Sequence, residues 1–435
     1  MSAKNKVKKT RKQKLKRAGI VLLCIVAVLA LLSGVLAAVN TVSSRANRNF
    51  IEQGIQPVAF EAQLEPTLED GIYTFYTDRE FRIMHLTDVH IGGGCVSTEK
   101  DNRALNAVAA MVAAEKPDLV IVTGDIAYPV PHQAGTFNNK TGADLFAGLM
   151  EKLGVYWCNT YGNHDTELYA LHTAKSISEK VYGNSEKYPH CLFQMGPEDI
   201  DGYGNYVINV KDKDTGSLIQ SLFMLDSHSY VDGDIFGFMW KYDSVHENQV
   251  QWYKDTVAQL TADNGGVTPL SLAFFHIPPP QMKEAVNELK ENEMQDTQDV
   301  QFVSGRLGES DMVICSGVYD YGLFDAFKET GSTKGAFFGH DHLNNATVNY
   351  KGIRLAYGNS IDYLAYPGIM QYGLQRGCEM ITVQPDGSFD NQYENYYQDK
   401  YRAPDGKEEV ILDHGMAEDV EGAGAVFDFQ QDNNK

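Results

Sequence analysis

Five stretches of this chain carry side chains able to hold cations or to move protons. Asp88-Val89-His90, Gly124-Asp125, Gly162-Asn163-His164-Asp165, His276 and Gly339-His340-Asp341-His342 occur in that order. Each follows an apolar run that reads as a buried strand, over residues 83–87, 119–123, 155–161, 270–275 and 336–338. A single His at a strand end is usually a satisfied structural residue. Five such ends in one chain point instead to one shared site, because α/β proteins build their sites beyond the C-terminal ends of strands. Carboxylate, imidazole and amide oxygens together suit hard or borderline divalent ions rather than soft ones. Two such ions a few ångströms apart hold phosphoryl oxygens, lower the pKa of a bridging water to give hydroxide, and offset charge on a leaving oxygen. The chemistry this composition fits is in-line hydrolysis of a phosphate ester.

The elements between these stretches must bring them together. Residues 98–115 carry Leu105, Val108, Ala109, Met111 and Val112 at helical spacing, and Lys116-Pro117 ends the run. Residues 142–153 read as a second amphipathic helix and 166–181 as a third. The resulting βαβαβ alternation predicts a mostly parallel central sheet. Residues 206–210 and 218–225 flank a Lys-Asp-Lys-Asp-Thr-Gly turn, and 346–350 and 353–357 flank Lys351-Gly352, which are hairpin signals for a second, antiparallel sheet. A helix is expected over 244–260, followed by the strand that ends on His276; Pro278-Pro279-Pro280 then fixes the backbone. Residues 291–322 show no periodicity and read as a long loop over the site. A last strand is expected over 379–383.

With these residues in view, the chain resembles the calcineurin-like metallophosphoesterase superfamily, and more closely its purple-acid-phosphatase-like branch, over about residues 81–383. The resemblance implies an α/β (α+β) fold, a two-sheet β sandwich flanked by helices, with two divalent metal ions (Mn, Fe or Zn) at the strand ends. It implies that Asp88, His90 and His342 hold one metal, that Asn163, His276 and His340 hold the other, and that Asp125 bridges them. It makes His164 the catalytic His beside the substrate and places Asp165 as the acid that orients it. A phosphate-ester substrate follows, monoester or diester, as does a metal-bound hydroxide as nucleophile. One residue departs from the common pattern: Tyr128 stands where many members have Asp, and purple acid phosphatases bind ferric iron through a Tyr there. Because His90 already supplies a ligand, Tyr128 is expected to be a neighbour and the metals colourless.

His85 lies in the first strand and is expected in the core or bracing the ligands, and His132, His172, His190, His228 and His246 lack the strand-end context. Tyr350, Tyr357, Tyr363, Tyr366 and Tyr372 are candidate cleft residues. Asn139 and Asn345 begin Asn-x-Thr sequences of the glycosylation type.

Composition limits the partners. The chain has 435 residues, 43% hydrophobic and 22% charged, enough for one large core. Residues 1–39 hold nine Lys/Arg and no acid; removing them from a formal net charge of −21 leaves −30 on the rest, which would repel a nucleic acid polymer. Residues 19–39 form an uncharged apolar run of the length that spans a bilayer, about 20 residues. The basic residues 4–17 before it place the N-terminus in the cytoplasm and the catalytic body outside. The run exceeds the apolar core of a cleaved signal peptide, roughly 7 to 15 residues. The expected organisation is a basic tail (1–18), a transmembrane helix (19–39), a linker with a first strand (40–79), the metallophosphoesterase domain (80–390) and an acidic tail (391–435). The six cysteines show no CxxC spacing and signal neither a zinc cluster nor a full disulfide set.

Overall fold

A computed structural model describes residues 10–234, 236–366, 376–396 and 398–401. The basic residues 4–9, Tyr372 and the acidic stretch from 402 onward lie outside these.

The chain starts with α1 (Arg11–Gly54), a single helix of 44 residues, whose apolar stretch is long enough to cross a membrane and is exposed along its length. The expected linker is therefore helical over its first third. Its C-terminal half docks on the body through Asn47, whose Nδ2 donates to Thr98 O and Asn102 Oδ1, and through buried Ile51. Strands β1 (Thr67–Glu69) and β2 (Ile72–Thr77) follow.

The expected βαβαβ unit is present. Strands β3 (Phe81–Leu86), β4 (Leu119–Thr123) and β5 (Trp157–Thr160) pair in parallel, with Ile83 beside Leu119 and Val120 beside Trp157. Their connections hold α2 (Thr98–Glu115), a short α3 (Pro131–Ala134) and α4 (Asn139–Leu153). Helix α2 buries Leu105, Val108, Met111 and Val112, the periodic face, and ends on Lys116 in the left-handed region just before Pro117. Residues 166–181 do not form one helix. Only α5 (Ala174–Ile177) is helical there, running into a π turn that ends at Tyr182; the residues before it form turns.

The hairpin of β6 (Tyr206–Asp212) and β7 (Leu218–Met224) is antiparallel, as expected. Next come α6 (Glu247–Asp263), capped by His246 and Gln249, then β8 (Ser271–Phe274) and α7 (Pro280–Glu291). Helix α7 has no counterpart among the expected elements, yet its proline run supplies Pro280 at its first position, where no backbone donor is lost. The long loop expected over 291–322 is broken by an edge strand, β9 (Val300–Ser304), and a 3₁₀ turn at Ser310–Met312. Helix α8 (Leu323–Thr330) leads to β10 (Thr333–Phe338), the second hairpin β11 (Thr347–Tyr350) and β12 (Ile353–Tyr357), and a last pair, β13 (Gly377–Val383) and β14 (Phe389–Asn395). Strand β14 thus carries ordered pairing past residue 391, where the tail was expected to begin.

These strands make two sheets, ordered β14-β13-β3-β4-β5 and β1-β2-β6-β7-β8-β10-β12-β11-β9. Consecutive aromatic residues mark the two faces of the larger sheet. Phe274 and Phe337 enter the core shared with the smaller sheet and helices α2 and α4, whereas Phe275 and Phe338 enter the core covered by α6, α7 and α8. His85 is buried between the sheets, its Nδ1 2.8 Å from Glu379 Oε2 and its Nε2 2.8 Å from Thr123 Oγ1, which is the expected core role. Asn139 and Asn345 are buried, each donating its Nδ2 within the body, so neither is an accessible glycosylation site in this fold. All six cysteines are unpaired.

Candidate metal centre

The five sequence stretches meet where β3, β4, β5, β8 and β10 end. Four of their residues have left-handed backbone, a region that costs non-glycine residues on the order of 1–3 kcal/mol each: Asp88 (φ 51°), His90 (φ 53°), Asp125 (φ 52°) and His340 (φ 80°). The chain turns sharply after β3, β4 and β10, and the turns leave these side chains buried. The glycines of the motifs provide the room. A Cβ on Gly339 would overlap Thr87 Oγ1 and Asp88 Oδ2, and one on Gly162 would overlap Asp125 Oδ1.

Asp88, His90, Asp125 and His342 offer ligand atoms that all lie within 4.8 Å of one another. His90 Nε2 is 3.1 Å from Asp125 Oδ2, and His342 Nε2 is 3.3 Å from Asp88 Oδ1. The second expected set adjoins it through the same carboxylate. His276 Nε2 is 3.3 Å from Asp125 Oδ2 and 3.1 Å from Asn163 Oδ1, and the His276 and His340 rings stand 5.2 Å apart. Oδ2 of Asp125 therefore faces ligand candidates of both sets. All seven expected metal residues are brought together.

The donor set fits cations. In the ion pairs described, Asp88, Asp125 and the buried Asp362 have only histidines as partners, while the buried Arg376 donates to the main-chain carbonyls of Ile361 and Asp362. His340 Nε2 and Asp88 Oδ1 are buried without a hydrogen-bond partner. Without cations the histidines carry the balance. Burial opposes charge on His90 and His276, yet the carboxylates of Asp362 and Asp125 outweigh it and push both up to about 9. Burial likewise works against Asp88, but His342 holds it down at about 2. His340, buried beside His276 with weaker compensation, is held well below the usual histidine range.

Asp362 is not among the residues the sequence singles out. Its Oδ1 lies 3.2 Å from His90 Nδ1 and its Oδ2 3.1 Å from His342 Nδ1, so one carboxylate faces the far nitrogen of two candidate ligands. The same oxygens accept from the backbone N–H groups of Leu364, Ala365 and Tyr366. The residue lies in a loop beyond β12, and only Asp-x-Leu-Ala marks it, which is too common a pattern to read.

The expectation for Asp165 is corrected. Its carboxylate accepts from the backbone N–H groups of Asp125 (2.8 Å), Ala127 (2.7 Å) and Gly162 (2.9 Å), so it ties the β4 and β5 turns together and does not reach the His164 ring. The acid at that ring is Glu167, whose Oε1 lies 2.8 Å from His164 Nδ1. His164 remains partly exposed, with its own N–H donated to Asp125 Oδ1 at 2.8 Å. Tyr128 packs its ring 4.9 Å from both His90 and His164, while its hydroxyl donates to Gln133 Oε1 at 2.9 Å. Burial raises this phenol well above its usual range. Of the tyrosines proposed as cleft residues, Tyr350, Tyr357 and Tyr363 are buried, while Tyr366 borders the cluster, 6.0 Å from the His342 ring. Tyr230 and Tyr242, which the sequence does not single out, also border it: Asn163 Nδ2 donates to Tyr230 OH at 3.1 Å, and the Tyr242 ring stands 4.1 Å from that of His340.

The family model described as calcineurin-like phosphoesterase matches residues 81–344, more than half of the chain. The chain belongs to this family. Among curated proteins, this calcineurin-like phosphoesterase is 30% identical over 336 residues to probable inactive purple acid phosphatase 14 of Arabidopsis thaliana, covering 71% of this chain and 77% of that one. It is 29% identical over 247 residues to Phosphatase DCR2 of Saccharomyces cerevisiae, covering 52% of this chain and 38% of that one. Among solved structures, a dimetal phosphatase from Danio rerio is aligned over 72% of this chain and 99% of its own at 10% identity, with a TM-score of 0.43.

Proposed function

We propose that this calcineurin-like phosphoesterase is a catalytically competent, membrane-anchored hydrolase of phosphate esters. The observation that carries the reading is convergence: Asp88, His90, Asp125, Asn163, His276, His340 and His342 meet at one set of strand ends, with His164 beside them and not consumed as a ligand-pair partner. In this reading Asp88, His90 and His342 would hold one divalent cation, Asn163, His276 and His340 a second, and Asp125 would be shared. Bound cations would supply Lewis-acid polarisation of the phosphoryl oxygens and a water acidified to a nucleophile.

The chain's own residues supply the rest. His164 is positioned to hand a proton to the leaving oxygen, and Glu167 fixes its ring by engaging Nδ1, which leaves Nε2 free to face a substrate. Asp165 holds the β4 and β5 turns at fixed separation, so that Asp125 and Asn163 keep their spacing. The uncharged run 19–39 within α1 supports an anchor, and the Lys/Arg excess over residues 4–17 before it supports a body outside the cytoplasm. A second reading, a surface module that binds metal without turnover, is favoured by the word inactive in the plant relative's name. Hydrolysis of p-nitrophenyl phosphate and its bis ester by full-length protein, each with Mn²⁺, Zn²⁺ or Fe²⁺ added, separates the two. Metal binding with no turnover of either ester under any metal would establish the second.

A further inference from the structure

Helix α1 meets the body on the side where the site opens. Asn40, one residue beyond the apolar run, is held at the site end of the body: its Nδ2 donates to Gly135 O and its Oδ1 accepts from Cys95 N. Asn47 then touches the first turn of α2, and Val58 N donates to Leu153 O at the end of α4, the end remote from the site. Helix α1 thus runs down the body from the site end, and its apolar residues project beyond that end. His90 is only five residues before Cys95, a reach of at most about 18 Å. A bilayer around residues 19–39 would lie against the face on which the metal centre opens.

That face is apolar where it meets the helix and beyond. Val96 and Phe137, on the segments that flank the Asn40 contacts, are 58% and 43% exposed. Across the site, the loop between Tyr230 and Tyr242 presents Phe236, Phe238 and Trp240 at 50%, 85% and 75% exposure. This loop is built rather than slack. Its ends are bridged at Tyr230 and Tyr242, Val231 N donates to Lys241 O, and the Asp234 carboxylate accepts from the N–H groups of Met239 and Lys241. Phe236 and Phe238 stack on each other, 5.7 Å apart, outside the body. Its two stem tyrosines are those that touch Asn163 and His340. Exposed apolar clusters of this kind mark protein or membrane contact surfaces, and Trp side chains such as Trp240 concentrate at the level of lipid headgroups.

Resting on the reading of residues 19–39 as a membrane span, we infer that the 230–242 loop docks on the surface of the same bilayer, so that the metal centre opens toward lipid headgroups. The occupant is lipid, because the helix that would enter the membrane leaves the body on this face, and because residues on both sides of the site offer the apolar surface. Docking then joins two contacts, the span and the loop tip, on either side of the mouth. The phosphate esters this site meets first are those presented at the membrane surface.

Trp240 reports on this directly. Trp157 is fully buried and Trp252 partly so, which makes the difference between wild type and Trp240→Phe the emission of one exposed ring. Full-length protein is reconstituted into phosphatidylcholine vesicles, with acyl-chain-brominated phosphatidylcholine as one quencher and iodide in the buffer as the other. Brominated lipid should remove at least half of the Trp240 emission, and iodide little. Quenching by iodide alone would place the loop in water and overturn the inference while leaving the anchor intact. Protection from both quenchers would show the loop covered by protein, a second copy or another chain, and would overturn it equally. Release of the protein by alkaline carbonate, with residues 10–39 missing from the product, would instead overturn the anchor and the inference together.

Discussion

Replacing Asp362 with Asn should empty one metal position and spare the other. Metal-ligating imidazoles present Nε2 inward when Nδ1 carries the proton, and here both Nδ1 atoms of His90 and His342 face one carboxylate, at 3.2 and 3.1 Å. An amide has one acceptor where the carboxylate has two. Whichever way the new amide is turned, its NH₂ faces one of the two rings, which then exposes Nδ1 as an acceptor and turns an N–H toward the metal position. The same NH₂ also meets a backbone N–H, either that of Tyr366 or those of Leu364 and Ala365. Loss of one such partner lowers metal affinity about 10- to 100-fold, or about 1.4–2.7 kcal/mol. The donor-to-donor contact adds on the order of 1–3 kcal/mol against folding. Asn163, His276 and His340 belong to the other set, so the second position should keep its affinity. Equilibrium dialysis with elemental analysis, at a free metal concentration about ten times the wild-type Kd, should find about 1.8 metals per chain in the wild type and about 1.0–1.4 in Asp362→Asn, as a 10- to 100-fold loss at one position requires. Two metals bound with unchanged affinity in the variant would refute the assignment of Asp362, and an even loss at both positions would refute the division of ligands into two sets.

Other substitutions separate catalysis from architecture. Glu167→Gln should leave metal content unchanged and lower kcat about 10-fold or more, below the full 10²–10⁴ range of acid catalysis because the ring itself remains, whereas Asp165→Asn should lower Tm with less effect per folded molecule; the reverse pattern in steady-state kinetics and calorimetry would restore Asp165 to the His164 ring. Gly162→Ala forces a Cβ into Asp125, so we expect a stability loss of about 1–3 kcal/mol and reduced metal content, read by urea unfolding and elemental analysis. Tyr128→Phe should keep both metals and the protein should be colourless before and after, since the hydroxyl is bonded to Gln133; a visible charge-transfer band that vanishes in the variant would make Tyr128 a ligand. His246 is pushed up to about 9 by Asp243, despite burial, with Asp201 adding to it. A raised folded-state pKa gives stability that is present in full below the unfolded value, about 6.5, and that is lost as pH rises through 9. His246→Ala should therefore cost on the order of 1 kcal/mol at pH 6, a figure kept small by solvent screening at this half-exposed pair, and the electrostatic part of that difference should be absent at pH 10.

The parts of the fold that could be read ahead are those where local pattern and burial agree. Strand β4 is a continuous apolar run, β3 and β5 are largely apolar, and all three are buried on both faces apart from Arg82, while α2 and α4 carry one apolar stripe each, so tertiary packing had no reason to override them. The failures have physical causes. Residues 166–181 are polar enough for a helix surface, but Asn139 binds the carbonyls of Asp165 and His172 and pins that segment as turns. Strand β9 was missed because its apolar residues, Val300, Phe302 and Val303, are too few to set a period, and at the sheet edge one backbone partner suffices. The convergence of the proposed metal residues was readable because motif, glycine and strand end coincide. Asp362 and Glu167 were not, since each is a lone acid whose role depends on which ring lies opposite in space. The exchange of Asp165 for Glu167 follows from the same cause: sequence adjacency to His164 says nothing about which carboxylate reaches Nδ1.

The alternation of the larger sheet links two tasks that usually fail separately. Phe274 and Phe275, and Phe337 and Phe338, occupy opposite faces, and β8 and β10 are aligned with Ala273 beside Ala336 and Phe274 beside Phe337. His276 follows the first pair directly, and His340 follows the second after Gly339. A slip of one residue between the two strands would exchange the cores and, in the same movement, carry one histidine away from Asp125. Misaligned chains would thus forfeit cation binding, while correctly aligned ones would gain RT ln(1 + [L]/Kd) from it. The cation would serve as a proofreader of strand alignment during folding, selecting in the newly made chain the one arrangement that can later do chemistry.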